Sequence, residues 1–299
     1  MPTAKYDFSL EQPVMAYFES QPWHPHQIQK AVQMGKWMST GLGLCYPFVS
    51  KEAQVAIGIF STYVLFIDDL SKELQHALLE FETNLICGKP QPCSILQSLV
   101  EFLPDIGQYY GPYARGMIAK ATIEFINGCL LECYYDGKMV PPIGALNFPS
   151  YFRLKTGYAE PHTHFVFPEG IYPEESYLKC YLPILPDLCN FINYGNDILS
   201  FYKESMVSNE RLNYICNYSK VHGLTISDSL RSVCRETAQN LKNIRAVLSN
   251  EPEILKTTEM FVQGYIAWYL NQTRYKLADM VIHGSDGGII KRTVSQPMA

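Results

Sequence analysis

Apolar residues recur along this chain at three- and four-residue steps, interrupted by glycine and proline. From His26 the rhythm runs through Ile28, Ala31, Val32, Met34 and Trp37, and Gly41 and Gly43 are placed to close that helix. Ser50, with Glu52 two residues on, has the chemistry of an N-cap. The helix it opens passes through Val55, Ile59, Phe60, Tyr63, Val64 and Ile67 into Asp68-Asp69. The helical pattern then continues to about Cys87, where Gly88, Pro90 and Pro92 break it. A shorter helix reaches Phe102. Residues 113–136 read as a long helix and residues 150–157 as a short one. Residues 159–173 hold three prolines and two histidines and predict a loop or a broken helix. A central helix follows Pro183 and Pro186, and two more cover roughly 225–248 and 252–280.

Strand-like alternation, repeats and low-complexity blocks are absent from the sequence, and no break resembles a linker. The pattern predicts one all-α domain of about ten helices spanning residues 1–299. Residues 1–25 are expected to be an N-terminal arm, and residues 284–299, rich in glycine at their start, a flexible tail.

Composition narrows the function. A formal charge of −5 gives no electrostatic footprint for nucleic acid. Apolar residues make up 47% of the chain and aromatic ones 13%, enough to build a core and line a cavity. The nine cysteines are scattered without a CxxC pair, which fits reduced thiols. The first residues carry no signal-peptide pattern, and the apolar run from Val55 to Ile67 is too short to span a bilayer. A cytoplasmic protein with no membrane span is the expectation.

Three groups of side chains carry candidate chemistry. Asn196, Ser200 and Glu204 are spaced four apart and would form one polar stripe on a helix. An amide carbonyl, a hydroxyl and a carboxylate are hard oxygen ligands suited to Mg²⁺, and Lys203 sits beside them. The second group is Asp68-Asp69-Leu70-Ser71-Lys72-Glu73. On a continuous helix Asp69 and Glu73 share a face and Asp68 lies one residue off it. A solvated acidic helix end would explain the same residues, but this one follows thirteen mostly apolar positions. The third group is basic: Arg153, followed by Thr156-Gly157, and Arg274 with Tyr275 late in the last helix. An arginine presents the planar fork that phosphate groups accept.

Together these motifs resemble a class I terpene synthase, nearest the fungal trichodiene synthase group. Asp68-Asp69-Leu70-Ser71-Lys72-Glu73 fits that family's Asp-rich motif. The run from Asn196 to Glu204 fits its NDxxSxxxE motif at Asn196, Asp197, Ser200 and Glu204. Arg153, with Thr156 and Gly157 after it, fits the diphosphate-sensing arginine and effector loop. Arg274-Tyr275 fits the C-terminal pair. The resemblance implies three Mg²⁺ ions held by Asp68 or Asp69, with Glu73, on one side and by Asn196, Ser200 and Glu204 on the other. It implies that Arg153, Lys203, Arg274 and Tyr275 grip the diphosphate. The substrate it favours is farnesyl diphosphate, ionised and cyclised to a sesquiterpene hydrocarbon or alcohol. A homodimer is a further carry-over. Which of Asp68 and Asp69 meets metal is left open by the spacing.

Residues one or two turns before the candidate ligands are expected to line the cavity: Thr62, Leu65 and Phe66; Cys189, Ile192 and Asn193; Ala267 and Asn271. Two other functions fit the same residues less well. A chain-elongating prenyl diphosphate synthase would carry two Asp-rich motifs. A non-catalytic isoprenoid-binding helical protein would be expected to lack a ligand.

Overall fold

The structure is a computed structural model that describes residues 8–135, 138, 140–208 and 213–277, and the backbone of 282–283 and 289–290. Thirteen α-helices occur among the described residues. They are α1 (Glu11–Glu19), α2 (Pro25–Cys45), α3 (Lys51–Asp69), α4 (Ser71–Ile86), α5 (Ser94–Gly107), α6 (Pro112–Tyr135) and α7 (Phe148–Thr156). After these come α8 (Ala159–His164), α9 (Glu174–Tyr181), α10 (Leu185–Phe201), α11 (Tyr214–His222), α12 (Ile226–Val247) and α13 (Pro252–Asn271). The all-α class holds; beyond the last helix Ile282–His283 pair antiparallel with Ile289–Ile290. The rest of the expected tail lies outside the described residues.

α3 is the centre of the core. Every residue from Ala53 to Ile67 except Val55 is buried. Ser61 and Thr62 enter this apolar interior by donating their hydroxyls to the carbonyls of Ile57 and Gly58, each at 2.7 Å. Ser50 caps the helix, its side chain accepting from the Ala53 N–H. α2 packs on α1, α3 and α13, while α10 packs on α8 and α12. α6 lies against α4, α7 and α8. Residues of α2, α3, α10 and α13 line the space between these helices.

Four expectations change. The N-terminal segment contains α1, whose Val14 and Phe18 are fully buried against the core; Pro13 falls in its first turn, where a missing N–H costs nothing. α2 runs through Gly41 and Gly43 to Cys45. Gly41 stays because α13 comes close there: a Cβ would lie 3.0 Å from the Trp268 ring. The chain bends by 109° between α3 and α4. The last long helix stops at Asn271, and Arg274-Tyr275 sit on a separate 3₁₀ turn, Thr273–Tyr275. Among the described residues no single helix is long and apolar enough to cross a membrane.

Candidate active site

Three connected cavities lead from a charged mouth into the apolar interior. The mouth, of about 180 Å³, is lined by Asp68, Glu132, Arg153, Lys203, Glu204 and Arg274 among others. It shares Arg153, Tyr158 and Asn196 with a middle chamber of about 60 Å³. That chamber shares Met38, His162, Tyr265 and Trp268 with a deep one of about 50 Å³, closed by Leu42, Tyr46, Ile57 and Phe261. Charge is confined to one end and aromatic surface to the other.

α7 delivers Arg153 to this mouth. Its Nε donates to the Asp197 carboxylate at 3.0 Å, and its Nη2 donates to the Asn196 Oδ1 at 2.8 Å. Both acceptors belong to α10, so the guanidinium ties two helices at the cavity wall. Burial disfavours its charge, but the Asp197 carboxylate more than offsets this and holds Arg153 above its ordinary value. Burial pushes Asp197 the other way, up to about 6, against the pull of Arg153. The pair is ionic nonetheless: a neutral Asp197 would leave a guanidinium buried without its counter-charge. Gly157 ends α7 where the chain is tight. A Cβ there would meet the Asn193 Oδ1 at 2.7 Å and the Arg153 carbonyl at 2.8 Å. Thr156 lines the mouth.

α10 carries the polar stripe. Asn196 accepts from Arg153 and donates its amide to the Tyr269 hydroxyl. Ser200 is buried, and its hydroxyl donates to the Asn196 carbonyl at 2.7 Å, one turn behind the mouth. Beyond Phe201 the helix widens into a π-helical turn, Tyr202–Val207. Such turns recur at functional sites because the extra residue re-aims side chains. Here Lys203 and Glu204 both reach the mouth from it.

The two aspartates part company. Asp68 opens onto the mouth, whereas Asp69 turns outward to Lys30 at 3.9 Å. The bend at Leu70 is the reason: the α3 helix ends at Asp69, and Glu73 starts a new direction in the first turn of α4, where it is exposed. The expected shared face of Asp69 and Glu73 does not form. Asp68 is solvent-accessible, but the cavity wall displaces bulk water around it. That desolvation, with the Asp69 charge second, pushes its carboxyl up to about 6.

Arg274 and Tyr275 also reach the mouth. The Arg274 guanidinium lies over the Trp37 ring, 5.0 Å from its centre. A polar relay docks this turn on α2: Trp37 Nε1 donates to Gln272 Oε1 at 2.6 Å, and Gln272 Nε2 donates to Thr40 at 2.7 Å. The Tyr275 ring packs on Tyr269 at 4.5 Å.

Of the expected cavity-lining residues, Leu65 lines the mouth, and Ile192 and Asn193 line the middle chamber. Thr62 and Phe66 face the core, the latter stacked on Trp23. Cys189 lines a separate cavity. Ala267 and Asn271 line none of the three chambers, and Asn271 is exposed. For Ala267 and Asn271 the offsets fail because α13 ends at Asn271, before Arg274; Thr62, Phe66 and Cys189 share the helix of their ligand but turn to the core or to the separate cavity. Sequence reasoning also missed Tyr46, Tyr158, His162, Tyr265 and Trp268. For the α13 pair the signal existed: Phe261, Tyr265, Trp268 and Tyr269 recur at helical spacing.

The donors around the mouth suit a hard cation. Asp68, Asn196 and Glu204 offer only oxygen, and no thiolate or imidazole lines it. Among the described residues, no three His, Cys, Asp or Glu side chains form a ready cage. Mg²⁺ behaves in this way, since it keeps waters and takes further oxygens from substrate phosphates.

The family model described as trichodiene synthase (TRI5) matches residues 9–287. An (E)-beta farnesene synthase from Metarhizium brunneum (strain ARSEF 3297) is 38% identical over 95% of this chain and 86% of its own length. A trichodiene synthase from Fusarium pseudograminearum is 27% identical over 78% of this chain, but only 61% of that protein is covered. The structure of a linalool/nerolidol synthase from Streptomyces clavuligerus superposes with a TM-score of 0.66 at 13% identity, over 89% of this chain and 97% of the other. That of 2-methylisoborneol synthase from Streptomyces coelicolor A3(2) gives 0.64 at 13% identity, over 91% and 93%. The last two show a shared helical fold. With the family model covering nearly the whole sequence, the chain belongs to the trichodiene synthase family of class I terpene synthases.

Proposed function

We propose that this chain is a Mg²⁺-dependent sesquiterpene synthase that ionises farnesyl diphosphate and cyclises the resulting cation. The observation that carries this reading is the polarity of the cavity. Cations and oxygen donors ring its mouth, and aromatic and aliphatic walls close its depth.

In this reading Arg153, Lys203, Arg274 and the Tyr275 hydroxyl bind the diphosphate and stabilise the charge it gains as the carbon–oxygen bond breaks. Asp68 on one side, and Asn196, Ser200 and Glu204 on the other, would hold Mg²⁺. When bound, the metal supplies Lewis-acid pull on the leaving group. Three ions are the number proposed from the family resemblance. The Ser200 hydroxyl, now bonded to the Asn196 carbonyl, would have to turn toward the mouth. Asp69 and Glu73 sit less favourably and are proposed as outer charges. Thr156 and Gly157 hold the backbone against which Arg153 is set. Past the mouth, Tyr158, Tyr265 and Trp268 exclude water and offer ring faces to the migrating cation.

A linear C15 product is the second reading. It is favoured by the 38% identical relative, whose name is that of an acyclic hydrocarbon. A cytoplasmic location is also proposed, from the scattered cysteines without a CxxC pair, and a homodimer, on family resemblance alone. The metal assignment is tested by Asn196→Ala and Glu204→Ala. Both should abolish turnover while circular dichroism stays that of the parent; full activity in both would remove the assignment.

A further inference from the structure

His162 lies where the middle and deep chambers meet and does not line the charged mouth. It is set there by α8, the short helix that packs on α6 and α10. Its Nδ1 is 2.8 Å from the Tyr46 hydroxyl. That hydroxyl also reaches the His162 carbonyl, as donor, at 3.5 Å. Nε2, on the other side of the ring, is buried and has no partner.

The hydrogen-bond geometry favours one tautomer of this ring. Burial keeps Tyr46 protonated, well above the ordinary tyrosine value, so its oxygen has one proton to give. Giving it to the His162 carbonyl lets Nδ1–H donate to the same oxygen. Both atoms are then satisfied, and Nε2 keeps a bare lone pair. The opposite arrangement would leave an N–H buried in apolar surroundings and the carbonyl without this donor.

We propose that Nε2 of His162 is the base that ends the reaction by taking a proton from the carbocation. The inference rests on the ionisation reading above and names the acceptor that reading lacks. The C–H bond beside the cationic carbon breaks, and its electron pair becomes the new C=C bond. The proton forms an N–H bond on Nε2, converting imidazole to imidazolium. The electrons of the original C–O bond have already left with the diphosphate. The proton passes to water once product leaves and the cavity rehydrates.

Two features suit the ring to this step. Burial pushes His162 down to about 4, so at neutral pH it enters uncharged and does not repel a cation. A base this weak suffices, because a hydrogen next to a carbocation is far more acidic than imidazolium. The surroundings are also right: Tyr158 and Phe165 flank the ring at 5.5 and 5.3 Å, and Tyr265 and Trp268 share its chambers. The other available base, released diphosphate, would remain at the mouth with Arg153. The two bases therefore select different hydrogens of a folded chain.

The test separates ionisation from proton loss. Wild type, His162→Gln and Tyr46→Phe are incubated with Mg²⁺ and farnesyl diphosphate. Diphosphate release is followed by a coupled assay and products by gas chromatography–mass spectrometry. The expected result for His162→Gln is a fall of about tenfold or more in the share of the main olefin, with other isomers or alcohols in its place. Diphosphate release should fall much less, by about threefold or under. Tyr46→Phe keeps the ring but frees its tautomer, and should shift the products partway in the same direction. An unchanged product profile in His162→Gln overturns the proposal. Equal losses of release and product in both variants, with folding intact, also overturn it, since the ring would then serve ionisation. If His162→Gln does not fold, an unchanged profile in Tyr46→Phe is the contradicting result. Absence of diphosphate release from folded wild type overturns the ionisation reading, and this step with it.

Discussion

Arg153 donates through Nη2 to the Oδ1 of Asn196 at 2.8 Å, across the gap between α7 and α10. Asn196 Oδ1 is one of the proposed metal ligands, so the guanidinium occupies its lone pair before substrate arrives. A diphosphate would compete for the same fork and release Asn196. A lysine keeps the charge but not the fork that spans Asn196 and Asp197 together. Arg153→Lys should therefore lower diphosphate release from farnesyl diphosphate by about a hundredfold or more, within the range seen when one preorganised charge donor is removed. Release within about threefold of wild type would mean that charge alone is needed there.

Asp68 and Asp69 should differ sharply. The first opens on the mouth, and the second faces Lys30 outside it. Asp68→Asn should reduce turnover by about a hundredfold or more, whereas Asp69→Asn should cost less than about tenfold. The Asp69–Lys30 pair is exposed and contributes little to stability, so the thermal melt of Asp69→Asn should be close to wild type. The reverse order of activities would move the metal site to the other aspartate.

Gln272 lies behind the mouth and connects Trp37 to Thr40. Trp37 in turn carries Arg274 over its ring face. Gln272→Ala breaks both hydrogen bonds and loosens the 3₁₀ turn that presents Arg274 and Tyr275. The KM for farnesyl diphosphate should rise about tenfold, the worth of one to two kcal/mol of lost positioning, with a smaller change in kcat. An unchanged KM would detach this relay from diphosphate binding.

Much of this site was legible in the sequence because its donors sit on regular helix. Asn196 and Ser200 lie on unbroken α10 and stand one turn apart as their spacing requires. Arg153 and Tyr275, with the cations at 203 and 274, were found from residue chemistry and motif order. Two of the failures share one physical cause. Where the helix changes direction at Leu70, or stops at Asn271, counting by helical turns no longer relates neighbours in sequence to neighbours in space. Asp69 with Glu73, and Asn271 with Arg274, were lost that way. The α1 segment was hidden for a different reason: Pro13 reads as a breaker, yet it is harmless in a first turn. The apolar depth was invisible because aromatic residues at helical spacing look the same whether they fill a core or line a cavity.

His164 offers a test of the fold around α8. It is buried, and burial with Lys120 second pushes it down to about 4. Its folded value lies below the unfolded value near 6.5, so the unfolded chain binds the extra proton in between. Its contribution to stability is thus complete above about pH 6.5 and is lost as pH falls toward 4. Asp68 and Asp197, raised to about 6, act in the opposite sense over part of that window. A difference between proteins isolates the histidine. On going from pH 7 to pH 5 in urea titrations, wild type should lose about 2 kcal/mol more stability than His164→Gln. Equal losses would show that the ring charges freely in the folded state.

The most direct measurement of the central claim is turnover of prenyl diphosphates by the purified chain. The protein is incubated with C10, C15 and C20 diphosphates in Mg²⁺, and with excess EDTA as the control. Diphosphate is measured in solution and hydrocarbons or alcohols by gas chromatography–mass spectrometry. The predicted result is Mg²⁺-dependent release with farnesyl diphosphate as the preferred substrate, a C15 product, and no release in EDTA. A folded protein that converts none of the three substrates would contradict the account.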